Sequence, residues 1–131
     1  MQANSKLSMP WLEDVASNRD LVVYYQPKID LKSGALAGVE ALVRWRHAQS
    51  GLMPPMQFIP AAEREGSLIR PLTYAILGRA LDQAASWVAL RKPLPIAVNV
   101  SPRLLDDEDF PKRVLAELDA RSLAQIGRAH V

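Results

Sequence analysis

Glu40-Ala41-Leu42-Val43-Arg44-Trp45 and Ile96-Ala97-Val98-Asn99-Val100 are the two stretches that decide the fold. The first carries two charges, four residues apart, in an apolar extended run. The second is almost wholly apolar, as expected of a strand buried on both faces of a parallel sheet. Between them, Ile69, Leu72, Ile76, Ala80, Ala84 and Trp87 recur at three- and four-residue steps and mark a long helix. A strand, a helix and a second buried strand in that order imply a parallel crossover. The fold class is therefore α/β.

Working outward, residues 1–20 read as a polar lead-in and a short helix with Pro10 in its first turn. Leu21-Val22-Val23-Tyr24-Tyr25-Gln26 is β-branched and aromatic, and reads as a strand. Pro27 places that strand at an edge or a bulge. Lys32-Ser33-Gly34 is a turn into the second strand, and residues 49–55 read as a loop. Phe58, Ile59, Ala62 and Glu63 suggest one or two helical turns ended by Gly66, with Ser67 capping the long helix. Asp106 to Asp109 precede a last helix with Phe110, Val114, Leu115 and Leu118 on one face. Residues 122–131 show neither strand nor helix patterning.

Composition narrows the function. The 131 residues are 49% hydrophobic and 23% charged, with a net charge of +2. No Lys/Arg block of the kind that tracks a nucleic-acid polymer occurs. There is no cysteine, so thiolate metal sites and disulfides are excluded. Apolar runs are too short to span a bilayer and the start lacks a signal-peptide pattern, so a cytoplasmic location is expected.

Chemistry concentrates at a few positions. Glu40 lies between Val39 and Ala41, where an acid is costly to bury unless paired or ligated; it reads as a metal-binding carboxylate or as an exposed strand acid. Arg44, four residues on, shares its strand face, and its planar fork suits a phosphate or a salt bridge to Glu40. Asn99 offers a carbonyl oxygen to a hard cation, or caps the turn before Ser101-Pro102. Gln26 reads as a ligand contact or as an amide serving neighbouring backbone. Ser101 fits a helix N-cap. Trp45 and Trp87 read as core anchors, and His47 as a loop residue without a partner pattern.

Tyr25-Gln26-Pro27-Lys28-Ile29-Asp30, then Gly38-Val39-Glu40-Ala41-Leu42-Val43-Arg44-Trp45-Arg46-His47, resemble the opening of an EAL domain. Gly51-Leu52-Met53-Pro54-Pro55 and Val98-Asn99-Val100-Ser101-Pro102 continue the resemblance in register. It covers about residues 21–118. It departs locally, with Ala48 where proline is usual and Leu105 where glutamine is common. The family comprises bacterial phosphodiesterases that open cyclic di-GMP to a linear dinucleotide with two divalent cations on a TIM-like barrel. The resemblance implies Glu40 and Asn99 as ligands of Mg²⁺ or Mn²⁺, and Gln26, Leu42 and Arg44 as substrate-binding residues.

It also implies a partial, truncated (β/α) barrel, because the family's further metal-binding acids and catalytic lysine have no counterpart here. The catalytic set is thus incomplete, and residues 119–131 read as a tail foreign to the domain. Two functions follow from these residues. One is a fragment of a cyclic di-GMP phosphodiesterase, inactive as it stands. The alternative is a degenerate module serving as a cyclic di-GMP receptor or regulatory surface. Cyclic di-GMP, a homodimer partner or an accompanying signalling domain are the expected partners.

Overall fold

The computed structural model describes residues 20–47, 50–65, 68–123 and 129–130. The expected lead-in helix before residue 20, Ala48, Gly66, the Ser67 cap and residues 124–128 lie outside them. Strands β1 (Leu21–Ile29), β2 (Leu36–His47), β3 (Gly51–Met53), β4 (Ile96–Ala97) and β5 (Ala129–His130) form one sheet in the order β1-β2-β4-β5, with β3 also paired to β2. The helices are α1 (Ile59–Glu65), α2 (Ile69–Ala89), α3 (Pro102–Leu105) and α4 (Asp109–Ala120). Pro27 sits on β1, the edge strand, where its missing N–H removes no ladder bond on the open side.

The chain divides into two compact units, Met1–Val23 with Val43–Ile76 and Tyr24–Leu42 with Leu77–Val131. In the first, β2 and β3 pair antiparallel through Trp45↔Met53, Arg46↔Leu52 and His47↔Gly51. The stretch read as a loop thus contains a strand. His47 is the last residue of β2 rather than a loop residue: it is buried and its Nδ1 accepts from the Ser50 N–H at 3.0 Å. Trp45 is edge-to-face with His47 (5.3 Å) and with Phe58 (5.9 Å). Leu21, Met53, Phe58, Ala62, Ile69, Leu72 and Ile76 are buried in this unit.

In the second unit the β1–β2 hairpin closes on an Asp-centred turn. The Asp30 N–H donates to the Ala35 carbonyl (2.9 Å) and the Gly34 N–H to the Asp30 carbonyl (2.8 Å). Asp30 Oδ1 accepts from the amides of Lys32 (2.8 Å) and Ser33 (3.3 Å), and Ser33 Oγ from that of Ala35 (3.2 Å). Gly34 takes a φ of 73°, the left-handed value this turn requires. Behind the hairpin, Tyr25 stacks edge-to-face on Trp87 at 5.5 Å and donates to the Arg79 carbonyl at 3.3 Å. Burial pushes the Tyr25 hydroxyl pKa up.

Strand β4 runs parallel to β2 through Val39↔Ile96 and Glu40↔Ala97, and parallel to β5 through Ile96↔Ala129 and Ala97↔His130. It is two residues long, not five. Beyond Ala97 the side chains alternate, with Val98 buried and Asn99 exposed, so this run is not apolar on both faces. Ser101 caps α3 by accepting from the Arg103 N–H at 3.3 Å. In α4, Phe110 is buried and Val114 and Leu118 half-buried at a four-residue step, whereas Leu115, one position off that stripe, is 58% exposed. Arg121 ties the end of α4 to α2, donating to Asp82 Oδ1 (2.7 Å) and Glu117 Oε1 (2.8 Å). Hydrogen bonds from Arg121 and then Arg113 hold the Glu117 carboxyl below the usual range.

Both long helices end alike. In α2 the Lys92 N–H reaches the Trp87 carbonyl and the Arg91 N–H the Val88 carbonyl, each at 2.9 Å. In α4 the Leu123 N–H reaches Leu118 (2.8 Å) and the Ser122 N–H Asp119 (3.0 Å). This is the Schellman pattern, which favours glycine at its left-handed residue. Here that residue is Arg91 (φ 60°) or Ser122 (φ 57°). Arg91→Gly should therefore raise stability by about 0.5–1 kcal/mol, the side-chain strain relieved less the glycine's added unfolded-state entropy. Thermal melting checks this; a lowered midpoint would refute it.

Candidate functional site

The site residues read from the sequence sit on three segments. Gln26 is exposed on β1. Glu40 and Leu42 are half-buried on β2, and Asn99 is exposed two residues past β4. Arg44 is also on β2 and half-buried, but belongs to the first unit, while the other four belong to the second.

The structure brings Glu40 and Asn99 together. Glu40 lies on β2 in register with Ala97 of the adjacent parallel β4, and Asn99 follows on the same run. Two residues further, the same side of the run returns and Asn99 Nδ2 donates to Glu40 Oε2 at 3.1 Å. Residues 59 apart in sequence thereby present a carboxylate and an amide carbonyl to one region of solvent. These are hard oxygen donors of the type that Mg²⁺ and Mn²⁺ prefer. They are two donors, and among the described residues no group of three or more His, Cys, Asp or Glu side chains could hold a metal. Two oxygen donors do not complete a cation site, for which Mg²⁺ takes about six and Ca²⁺ about six to eight.

Arg44 does not need Glu40 as its partner. Its Nη1 donates to the Val43 carbonyl at 2.7 Å, and Glu40 has Asn99.

Sequence reading missed Gly38. A Cβ built on it would stand 2.7 Å from the Pro95 carbonyl oxygen, and the adjacent Val39 N–H donates to that same oxygen at 2.9 Å. Gly38 therefore lets the chain entering β4 lie close against β2, which sets the register that delivers Asn99 to Glu40. The available signal was a lone glycine inside a strand pattern, which marks a close backbone approach.

Comparison with known proteins gives one family. The model of the EAL domain matches residues 10–126. The cyclic di-GMP phosphodiesterase PA2567 of Pseudomonas aeruginosa is 49% identical over 86 residues, 66% of this chain and 14% of the relative. The cyclic di-GMP phosphodiesterase PdeR of Escherichia coli is 40% identical over 111 residues, 82% of this chain and 16% of the relative. Among solved structures, the PaMucR phosphodiesterase in complex with c-di-GMP superposes with a TM-score of 0.76 at 35% identity, covering 86% of this chain and 45% of that one. The EAL enzyme Bd1971, in a form bound to cAMP and cyclic di-GMP, gives 0.78 at 25% identity, covering 92% of this chain and 34% of that one. The chain spans less than a fifth of the curated relatives' length and less than half of these solved chains.

Proposed function

The chain belongs to the EAL domain family, and on that premise we propose that it is the N-terminal part of a domain that hydrolyses cyclic di-GMP to the linear dinucleotide. Its sheet is then part of a TIM-like barrel completed by further strands. The single observation that supports a catalytic lineage is the Asn99–Glu40 hydrogen bond across the parallel pair. It aligns a carboxylate with an amide carbonyl, the donor types a hard cation takes.

In this reading Glu40 and Asn99 would hold a divalent cation, Mg²⁺ or Mn²⁺. When bound, such a cation supplies Lewis acidity and a water of lowered pKa. Asn99 orients the Glu40 carboxylate through Nδ2 and keeps its own carbonyl oxygen available as a donor. Arg44 meets a phosphate of the ligand with its planar fork, and Gln26 and Leu42 contact the dinucleotide. The base that activates water and the remaining cation ligands come from the rest of the domain. The 131 residues alone then release no linear product.

Joined to the remainder of a matching domain, the chain should open cyclic di-GMP in Mg²⁺ or Mn²⁺ and stop when the cation is chelated. Glu40→Ala in that protein should lower turnover at least about a hundredfold, more than the loss of an outer-shell partner. Its melting should shift little, because an acid at a half-buried, solvent-facing position serves the cation rather than the core. Full turnover in Glu40→Ala would remove the metal role. Binding of cyclic di-GMP without turnover in the parent would instead make the module a receptor.

A further inference from the structure

Residues 27–37, the distal half of the β1–β2 hairpin, are exposed without interruption. Three aliphatic side chains stand out there: Leu31 is 98% exposed, Ile29 52% and Leu36 47%. Lys28 and Lys32 bracket Ile29 and Leu31, and both are exposed. The single acid in the segment, Asp30, is turned back into the hairpin, where its carboxylate accepts from the amides of Lys32 and Ser33. The amides of Asp30, Gly34 and Ala35 are bonded inside the turn as well. The tip thus combines projecting apolar side chains, flanking cations and a backbone whose polar groups are largely satisfied from within.

We infer that this hairpin tip docks on an anionic lipid surface. Several features select lipid over a protein partner. The segment has neither the aromatic nor the arginine anchors that dominate protein interfaces, and lysine is depleted at such interfaces. At a bilayer the same set is favourable. Leu31 and Ile29 enter the acyl boundary, and the lysine stems lie along it with their ammonium groups among anionic headgroups. Internally bonded amides remove the main cost of placing a turn in an apolar medium. Docking through a hairpin tip with a few apolar side chains is a peripheral contact, favoured by buried apolar area and by attraction to anionic headgroups. Glu40 and Leu42 lie further along β2 than Leu36 at the tip, so docking leaves them free.

The inference stands apart from the phosphodiesterase reading, since it uses none of the residues assigned there. It is tested on the 131-residue chain by co-sedimentation with phosphatidylcholine vesicles, with and without phosphatidylglycerol. Wild-type chain should bind the mixed vesicles, and binding should weaken with added salt and in pure phosphatidylcholine. Leu31→Ser should lower the partition coefficient about tenfold. Lys28→Gln with Lys32→Gln should lower it about 25-fold, roughly fivefold per lysine, and abolish the salt dependence. Lys112→Gln, exposed on α4, should bind as wild type does. Absence of wild-type binding would overturn the inference, as would binding that survives the hairpin variants. A Leu31-dependent dimer in sedimentation equilibrium, with no vesicle binding, would assign the tip to a second copy and equally overturn it.

Discussion

Gly38→Ala is expected to cost the fold about 2–4 kcal/mol. The new Cβ would lie 2.7 Å from the Pro95 carbonyl oxygen and 3.4 Å from Pro95 Cβ. The nearer atom is backbone, so no flexible side chain can swing aside. Relief requires β2 and the approach to β4 to separate, which stretches the 2.9 Å bond from the Val39 N–H to Pro95. Overpacking of this kind costs about 1–3 kcal/mol, and a lost backbone hydrogen bond adds about 1. Against a total stability of roughly 5–15 kcal/mol this is a large fraction, and the melting temperature should fall by roughly 10 °C. Gly34→Ala is the contrast: its Cβ meets nothing within 4 Å, leaving only the left-handed strain of about 1–2 kcal/mol. A Gly38→Ala chain as stable as the wild type would show that the Pro95 approach carries no constraint.

Phe58→Ala should destabilise by about 3–5 kcal/mol, the range for emptying a fully packed aromatic site. Phe58 is 0% exposed, and its ring is edge-to-face with Trp45, itself buried. Its backbone carbonyl also receives the Ala62 N–H at 3.0 Å, at the start of α1. Removing the ring takes one of the two aromatic neighbours of Trp45, leaving His47, and opens a cavity between β2 and the start of α1. Phe58→Leu keeps most of the volume and should cost less than about 1.5 kcal/mol. Urea titration reads both through the midpoint at constant slope. A Phe58→Ala loss below about 1 kcal/mol would mean that the site collapses around the smaller side chain.

The fold class was legible because its signals are local. The β-branched run opening at Leu21, the Lys32-Ser33-Gly34 turn and the apolar periodicity of α2 each belong to one segment, and the parallel β2–β4 pairing follows from their order. Register and strand length were not legible. They depend on which backbone lies opposite, so Gly51–Met53 looked like a loop until β2 was beside it, and the five-residue run Ile96–Val100 yielded a two-residue β4. His47 was misplaced for the same reason. Residues 129 and 130 pair with β4 although nothing in their sequence marks a strand. Of the candidate site, the meeting of Glu40 and Asn99 could be anticipated from two runs lying parallel. Gly38, a glycine inside a strand pattern, signalled a close backbone approach but not its partner, an oxygen 57 positions away in the chain (Gly38 to Pro95).

The Glu40–Asn99 bond has a consequence for how the chain is made. Its partners are 59 residues apart, and a ribosome adding about 5–20 residues each second needs about 3–12 s to pass from one to the other. During that interval β2 has been synthesised while the strand that pairs with Val39 and Glu40 does not yet exist. The early hairpin can form at once, since its own turn closes it. The opposite edge must wait, with Val39 and Ala41 still uncovered and open to other chains. Translation speed between codons 40 and 99 should therefore govern yield: pausing there lengthens the exposed interval, and faster decoding or a holding chaperone shortens or shields it.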